Sequence, residues 1–281
     1  MVVLGAMHWL PASDSAIMCA IAASVGVPMR YVSQPTKASI AIGAILRELA
    51  MVLGLYTLWM IAGHLAVTQD TGAVAHGQSL WNLERTLHLP NEHTLQQWAL
   101  HSHLFVRLLN TYYAFEHVPS LIIFLLWLFF RHRDRYPRIR NVLALTTLTC
   151  LLIQLIPVAP PRLVPDLHMI DTGKLLGPDV YQSIGHGGPD QFSAMPSVHI
   201  AWAALFTWAV ITVSPSKWRW LMLFHLALVF AAVTFTGYHY WLDGIVAIII
   251  IAAMVPVEAA GRWAVGHARA LVRAPAVATP D

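Results

Sequence analysis

The sequence predicts an all-α polytopic membrane protein, a bundle of six transmembrane helices with amphipathic helices on the extracytoplasmic side. Three observations predict it. Of the 281 residues, 57% are hydrophobic and only 11% are charged, where soluble domains carry about 25% charged residues. Six apolar runs approach the ~20 residues that a helix needs to cross a bilayer. Lysine and arginine collect in alternate connecting segments, as the positive-inside bias demands.

The first run is Leu46–Val67, with a possible entry at Ile40. The second, Leu109–Phe130, is the least uniform because Glu116 and His117 lie within it. The third is Val142–Val158, the fourth Pro196–Val213, the fifth Trp218–Phe235 and the sixth Tyr240–Val257. Four consecutive isoleucines, Ile248–Ile251, mark the sixth. An earlier apolar stretch, Ala16–Val27, is too short to span comfortably and has no basic residue before it, so it makes a poor signal peptide. Met29-Arg30 follows it as an alternative start.

With the N-terminus inside, thirteen of the 17 basic residues face the cytoplasm. Arg131, Arg133, Arg135, Arg138 and Arg140 all lie between runs two and three. Arg85, Arg107, Arg162 and Lys174 are left outside. Both termini are therefore expected in the cytoplasm, consistent with an integral protein of a bacterial plasma membrane. Residues 1–38 read as a cytoplasmic N-terminal tail, 39–262 as the membrane domain and 263–281 as a cytoplasmic C-terminal tail, with Ala274–Asp281 expected to be disordered.

The outward connections are the long ones. Residues 68–108 contain Trp81–Leu87 and Thr94–Leu100, whose apolar residues recur at helical spacing. Residues 159–195 are rich in Pro, Gly and Asp and read as an ordered loop. Cys19 and Cys150 form neither a metal motif nor a redox motif. The net charge of +3 includes no basic block with interleaved aromatics, which argues against a nucleic-acid partner.

Three segments open on the outer side. His239 and Asp243 stand four residues apart, on one face of a helix. The carboxylate can fix the imidazole tautomer and leave the other nitrogen free to attack. His199 follows Met195-Pro196-Ser197-Val198 at the start of run four. Its first-turn N–H groups favour an oxyanion, and its imidazole can protonate a departing alkoxide. Arg162 follows Pro160-Pro161 where run three ends, and a guanidinium binds phosphate bidentately. Each residue alone also fits a structural role. Together, on one membrane face, they are the equipment for phosphoryl chemistry on a lipid.

Pro160-Pro161-Arg162, Met195-Pro196-Ser197-Val198-His199 and His239-Tyr240-Trp241-Leu242-Asp243 resemble the three motifs of the type 2 phosphatidic acid phosphatase superfamily, over roughly residues 45–260. The nearest branch is that of inositol phosphorylceramide synthase and similar bacterial membrane proteins. The resemblance implies that His239 becomes a phosphohistidine, that Asp243 orients it, and that His199 protonates the leaving group and then activates the acceptor. It implies that Arg162, Ser197 and nearby backbone N–H groups hold the phosphate, with no metal and no other cofactor. The superfamily pattern has Lys seven residues before the first-motif Arg, Gly between Ser and His, and Ser-Arg ahead of the last His. Here Leu155, Val198 and Ala232-Val233 stand in those places, so two phosphate-binding cations are missing unless Arg85, Arg107 or Lys174 folds inward.

The expected activity is that of a lipid phosphatase or phosphotransferase working at the extracytoplasmic face. The expected partners are membrane lipids, a phospholipid or polyprenyl-phosphate substrate, and an acceptor that is water or an alcohol such as inositol or a sugar. Glu116, His117 and Tyr238 are candidates for the pocket wall. A lipid transporter or scramblase would carry mid-membrane polar groups and internal repeats, and no repeat is visible. A catalytically inactive scaffold is the remaining alternative.

Overall fold

The computed structural model describes residues 12–31, 36–67, 72–178 and 191–273. The expected disorder of Ala274–Asp281 and part of the 159–195 loop fall outside these residues. The fold is all-helical, with no β-strand among the described residues.

The helices are α1 (Ala12–Gly26), α2 (Lys37–Val67), α3 (Ala73–Thr86), α4 (Glu92–Leu100), α5 (His103–Arg131), α6 (Tyr136–Ile153), α7 (Thr172–Leu176), α8 (Val198–Val213), α9 (Leu221–Phe235) and α10 (Trp241–Arg273). Lys37–Leu58, His103–Arg131, Lys217–Phe235 and Trp241–Ala270 are long and apolar enough to cross a membrane, whereas Ala12–Gly26 and Val198–Val213 are apolar but shorter. The protein is therefore an integral membrane protein with four helices of spanning character. The segment expected as an N-terminal tail contains α1, which packs along α2.

Helix boundaries have local causes. Asn91 and Ser102 cap α4 and α5 by accepting from Thr94 N and Phe105 N. Pro119 and Pro256 lie inside α5 and α10, which membrane helices tolerate because neighbouring groups re-satisfy the freed carbonyls. α6 ends at Ile153, five residues before the expected end of the third run. The remaining apolar residues turn back through Pro157 and join a parallel bridge, in which Val158 pairs with Ser193.

α8 is the central helix. Val198, Ile200, Ala201, Ala203, Ala204, Leu205, Phe206 and Ala209 are buried, against α5, α6, α9 and α10. Small residues on α8 let its neighbours approach closely, as membrane helix packing favours. At the end remote from the three motif segments, Arg140 pairs with Glu48 and Tyr136 donates to Glu48, which joins α2 to α6, and Arg262 pairs with Glu258 within α10.

The end that carries the motif segments is closed by α3 and α4. α3 buries Ala73, Gly77 and Glu84, and α4 buries Glu92, Gln96 and Ala99. A Cβ on Gly77 would stand 2.6 Å from the Ala159 carbonyl and 2.8 Å from the Tyr240 hydroxyl, so only glycine allows α3 to approach this closely.

Candidate active site

Backbone hydrogen bonds stitch the three motif segments together. Arg162 N donates to Gly237 O at 3.1 Å, Ser197 N donates to Asp243 O at 3.3 Å, and Ala194 N donates to Val158 O at 3.2 Å. Gln154, at the end of α6, donates to Pro196 O at 2.9 Å. Gly237 turns the chain between α9 and His239 with φ +76, a left-handed conformation that favours glycine.

His239 is buried just ahead of α10. Its Nδ1 lies 2.7 Å from Ala194 O and 3.2 Å from Asp243 Oδ2. A carbonyl oxygen can only accept, so Nδ1 carries the proton and donates to both oxygens. Nε2 is left as the basic nitrogen. Asp243 is fully buried, and its Oδ2 also accepts from Tyr240 N at 2.8 Å. The carboxylate therefore orients the imidazole and caps the helix that carries it.

His199 is the second residue of α8, partly buried, with its ring centroid 6.1 Å from that of His239. A nucleophile and a proton donor each within about 3–3.5 Å of a shared reacting group would stand at comparable separation. Ser197 is outside the helix. It is the N-cap of α8, and its Oγ accepts from Ile200 N at 3.4 Å. The fourth run was expected to begin at Pro196, and the helix starts two residues later; the Ser197 hydroxyl can still donate its proton. Pro196 also lies outside α8, joined to Met195 by a cis peptide.

The side chain of Arg162 is fully buried, with Nε donating to Asp171 Oδ2 at 3.3 Å. Its guanidinium lies 4.3 Å over the Tyr238 ring, next in sequence to His239. Of the other candidate cations, Lys174 lies 3.8 Å from the same Asp171 oxygen. Arg85 instead pairs with Glu92 at 3.0 Å and lies over Trp81. Arg107 donates to Leu176 O. Ala232 and Val233 are buried apolar residues of α9.

Of the pocket candidates, His117 has its ring centroid 4.1 Å from that of His199 with the planes tilted by 35°, and Tyr238 has Arg162 over its ring. Glu116 is turned elsewhere, 3.3 Å from His225. No group of three His, Cys, Asp or Glu side chains among the described residues could hold a metal ion. Both cysteines are free.

Two residues with no motif signal stand at the start of α10. Glu84 accepts from Leu242 N at 2.8 Å and Glu92 from Trp241 N at 3.5 Å. Both are fully buried. Negative charge at a helix N-terminus is favourable, and these carboxylates satisfy N–H groups that a helix start leaves open. Burial pushes the Glu84 carboxyl up to about 9, and the neighbouring Glu92 carboxylate pushes the same way. The folded protein thus keeps a proton that the unfolded chain loses near its usual value of 4.5. Stability from this site is complete below that value and drains away as pH rises to about 9. Melting in detergent between pH 6 and 9 should show a smaller alkaline loss in Glu84→Gln than in wild type. Equal losses would contradict the shared proton.

A family model described as the PAP2 superfamily matches residues 78–257. The chain belongs to the PAP2 superfamily. No curated protein and no solved structure gives a significant match. The matched range holds all three motif segments, runs from within α3 to about midway along α10, and leaves out α1 and α2. PAP2 proteins are generally phosphatases acting on phosphorylated lipid substrates, which points to phosphatase or phosphotransferase activity here.

Proposed function

We propose that the chain is an integral-membrane lipid phosphatase or phosphotransferase working through a phosphohistidine at His239. The observation that carries this reading is the double acceptor on His239 Nδ1, which leaves Nε2 basic and 6.1 Å, ring to ring, from His199. Nε2 attacks the phosphorus of a lipid-linked phosphate. The P–N bond forms as the bond to the lipid alcohol breaks, and protonated His199 gives its proton to the leaving oxygen. Neutral His199 then takes a proton from the acceptor, whose oxygen displaces the phosphoryl group from His239. Arg162 and the Ser197 hydroxyl hold phosphate oxygens, and Asp243 stabilises the charged imidazole. His117 and Tyr238 form the wall of the pocket. Glu116 reaches the substrate only if the α5–α9 contact opens.

The site belongs on the extracytoplasmic face. The positions of the 17 basic residues support six crossings, with α6 and the short central α8 added to the four long helices and both termini inside. In this reading residues 39–262 form the catalytic domain and the flanking segments are cytoplasmic tails.

The apolar residues at Leu155, Val198 and Ala232-Val233 favour transfer to an alcohol such as inositol or a sugar, as in the inositol phosphorylceramide synthase-like branch. A phosphodiester carries one negative charge where free phosphate carries about two, so a site with fewer cations suits exchange between phosphodiesters better than release of phosphate. The test is a lipid mass-spectrometric comparison of wild type with His199→Ala, run with polyprenyl phosphate, phosphatidic acid and an inositol phospholipid. Wild type alone should consume one of these and release phosphate, a phosphomonoester of the acceptor or, from the inositol phospholipid, a new phosphodiester. Identical lipid profiles would end the proposal.

A further inference from the structure

The role proposed for His199 requires its ring to present one nitrogen in a fixed direction through a catalytic cycle. Imidazole rotation about χ2 is intrinsically broad. Two rings from α5 bear on this. Tyr113 lies 4.4 Å from His199 with planes tilted by 30°, and His117 lies 4.1 Å away with a tilt of 35°. These two residues are four apart on α5, one turn above the other. His199 sits between them.

Both neighbours are themselves backed. His117 stacks at 4.0 Å and 7° on Trp202, whose Nε1 donates to Thr147 Oγ1 at 3.0 Å. Tyr113 stacks at 4.5 Å and 12° on Tyr238, which has Arg162 over its ring. The pile therefore runs Trp202, His117, His199, Tyr113, Tyr238, Arg162. Its ends are held by Thr147 and, through Arg162, by Asp171.

We propose that Tyr113 and His117 are positioning residues that clamp the His199 imidazole between them. Turning that ring about χ2 would drive its edge into rings only 4.1 and 4.4 Å away. Interiors this closely packed do not yield to such a sweep without cost. The clamp keeps the ring in one plane while it gives up and regains its proton, so the same nitrogen faces the leaving oxygen in each turnover. The pile also couples the phosphate-holding guanidinium to the acid through two tyrosine rings. The inference rests on the general-acid role proposed for His199.

The test uses the full chain in detergent, labelled with carbon-13 histidine, and compares wild type with Tyr113→Leu, Tyr113→Phe and His117→Leu. The His199 resonance, assigned by its loss in His199→Ala, should sit upfield under the two ring currents. It should move downfield in both leucine variants and stay in place in Tyr113→Phe. Turnover is read on dioleoyl phosphatidate and on p-nitrophenyl phosphate, whose leaving group needs no proton. Tyr113→Leu should lower phosphatidate turnover about 10–100-fold in kcat with KM little changed, leave the p-nitrophenyl ester within about threefold, and be rescued by Tyr113→Phe. An unmoved resonance would overturn the clamp. A moved resonance with both esters slowed equally, or neither slowed, would overturn the positioning role. Wild type inert toward both esters would instead count against the phosphoryl-transfer reading, and the resonance alone would then decide the clamp.

Discussion

His239→Gln should lower lipid phosphate turnover by at least about 10³-fold, because it removes the attacking nitrogen itself. The rate is not the only readout. A rapid acid-free quench with radiolabelled donor should trap an alkali-stable phosphoenzyme in wild type and none in the variant. Asp243→Asn should behave differently. Ala194 O already accepts from Nδ1 at 2.7 Å, so the tautomer has a second support. The loss should be about 10–100-fold, smaller than where a carboxylate is the sole orienter. A phosphoenzyme that survives in His239→Gln would refute the covalent route.

Arg162→Lys should raise the orthovanadate inhibition constant by about 10²-fold, the scale of losing a preorganised donor to a developing phosphoryl charge. Vanadate resembles the five-coordinate transition state, so its affinity reads the site without the true lipid. The substitution keeps the charge, but the flat guanidinium is what fits between Asp171 and the Tyr238 ring. An ammonium on a flexible stem neither stacks nor forms a bidentate fork. Lys174 already stands beside Asp171 and would compete for that carboxylate once the arginine is gone. Unchanged vanadate inhibition in Arg162→Lys would remove Arg162 from the phosphate site.

The residues that carry chemistry were easier to read than those that hold them. His239 and Asp243 were legible as a pair from their spacing of four, but the expectation that both lie on one helical face is corrected: α10 begins at Trp241, so His239 stands ahead of the helix and the Asp243 carboxylate reaches back to it. Ala194 was not legible, because its contribution is a backbone carbonyl and every residue has one. Glu84 and Glu92 looked like the polar side of surface helices. They are buried because α10 begins beneath them with N–H groups to satisfy. No sequence pattern separates Tyr113 from its neighbour Tyr112, and only its contacts with His199 and Tyr238 set it apart. The cations weighed as substitutes were equivalent in sequence. Packing separated them, leaving Lys174 near Arg162 and tying Arg85 and Arg107 elsewhere.

The amino-acid sequence alone determined the helical membrane architecture, since apolar runs of spanning length leave the backbone no other way to satisfy its hydrogen bonds in lipid. It also supplied the three motifs. Tertiary structure alone decided that they meet. Arg162, Ser197 and Asp243 are joined by backbone bonds between segments far apart in the chain. Such pairings depend on how α6, α8 and α10 pack against one another, and no local pattern of residues encodes that contact.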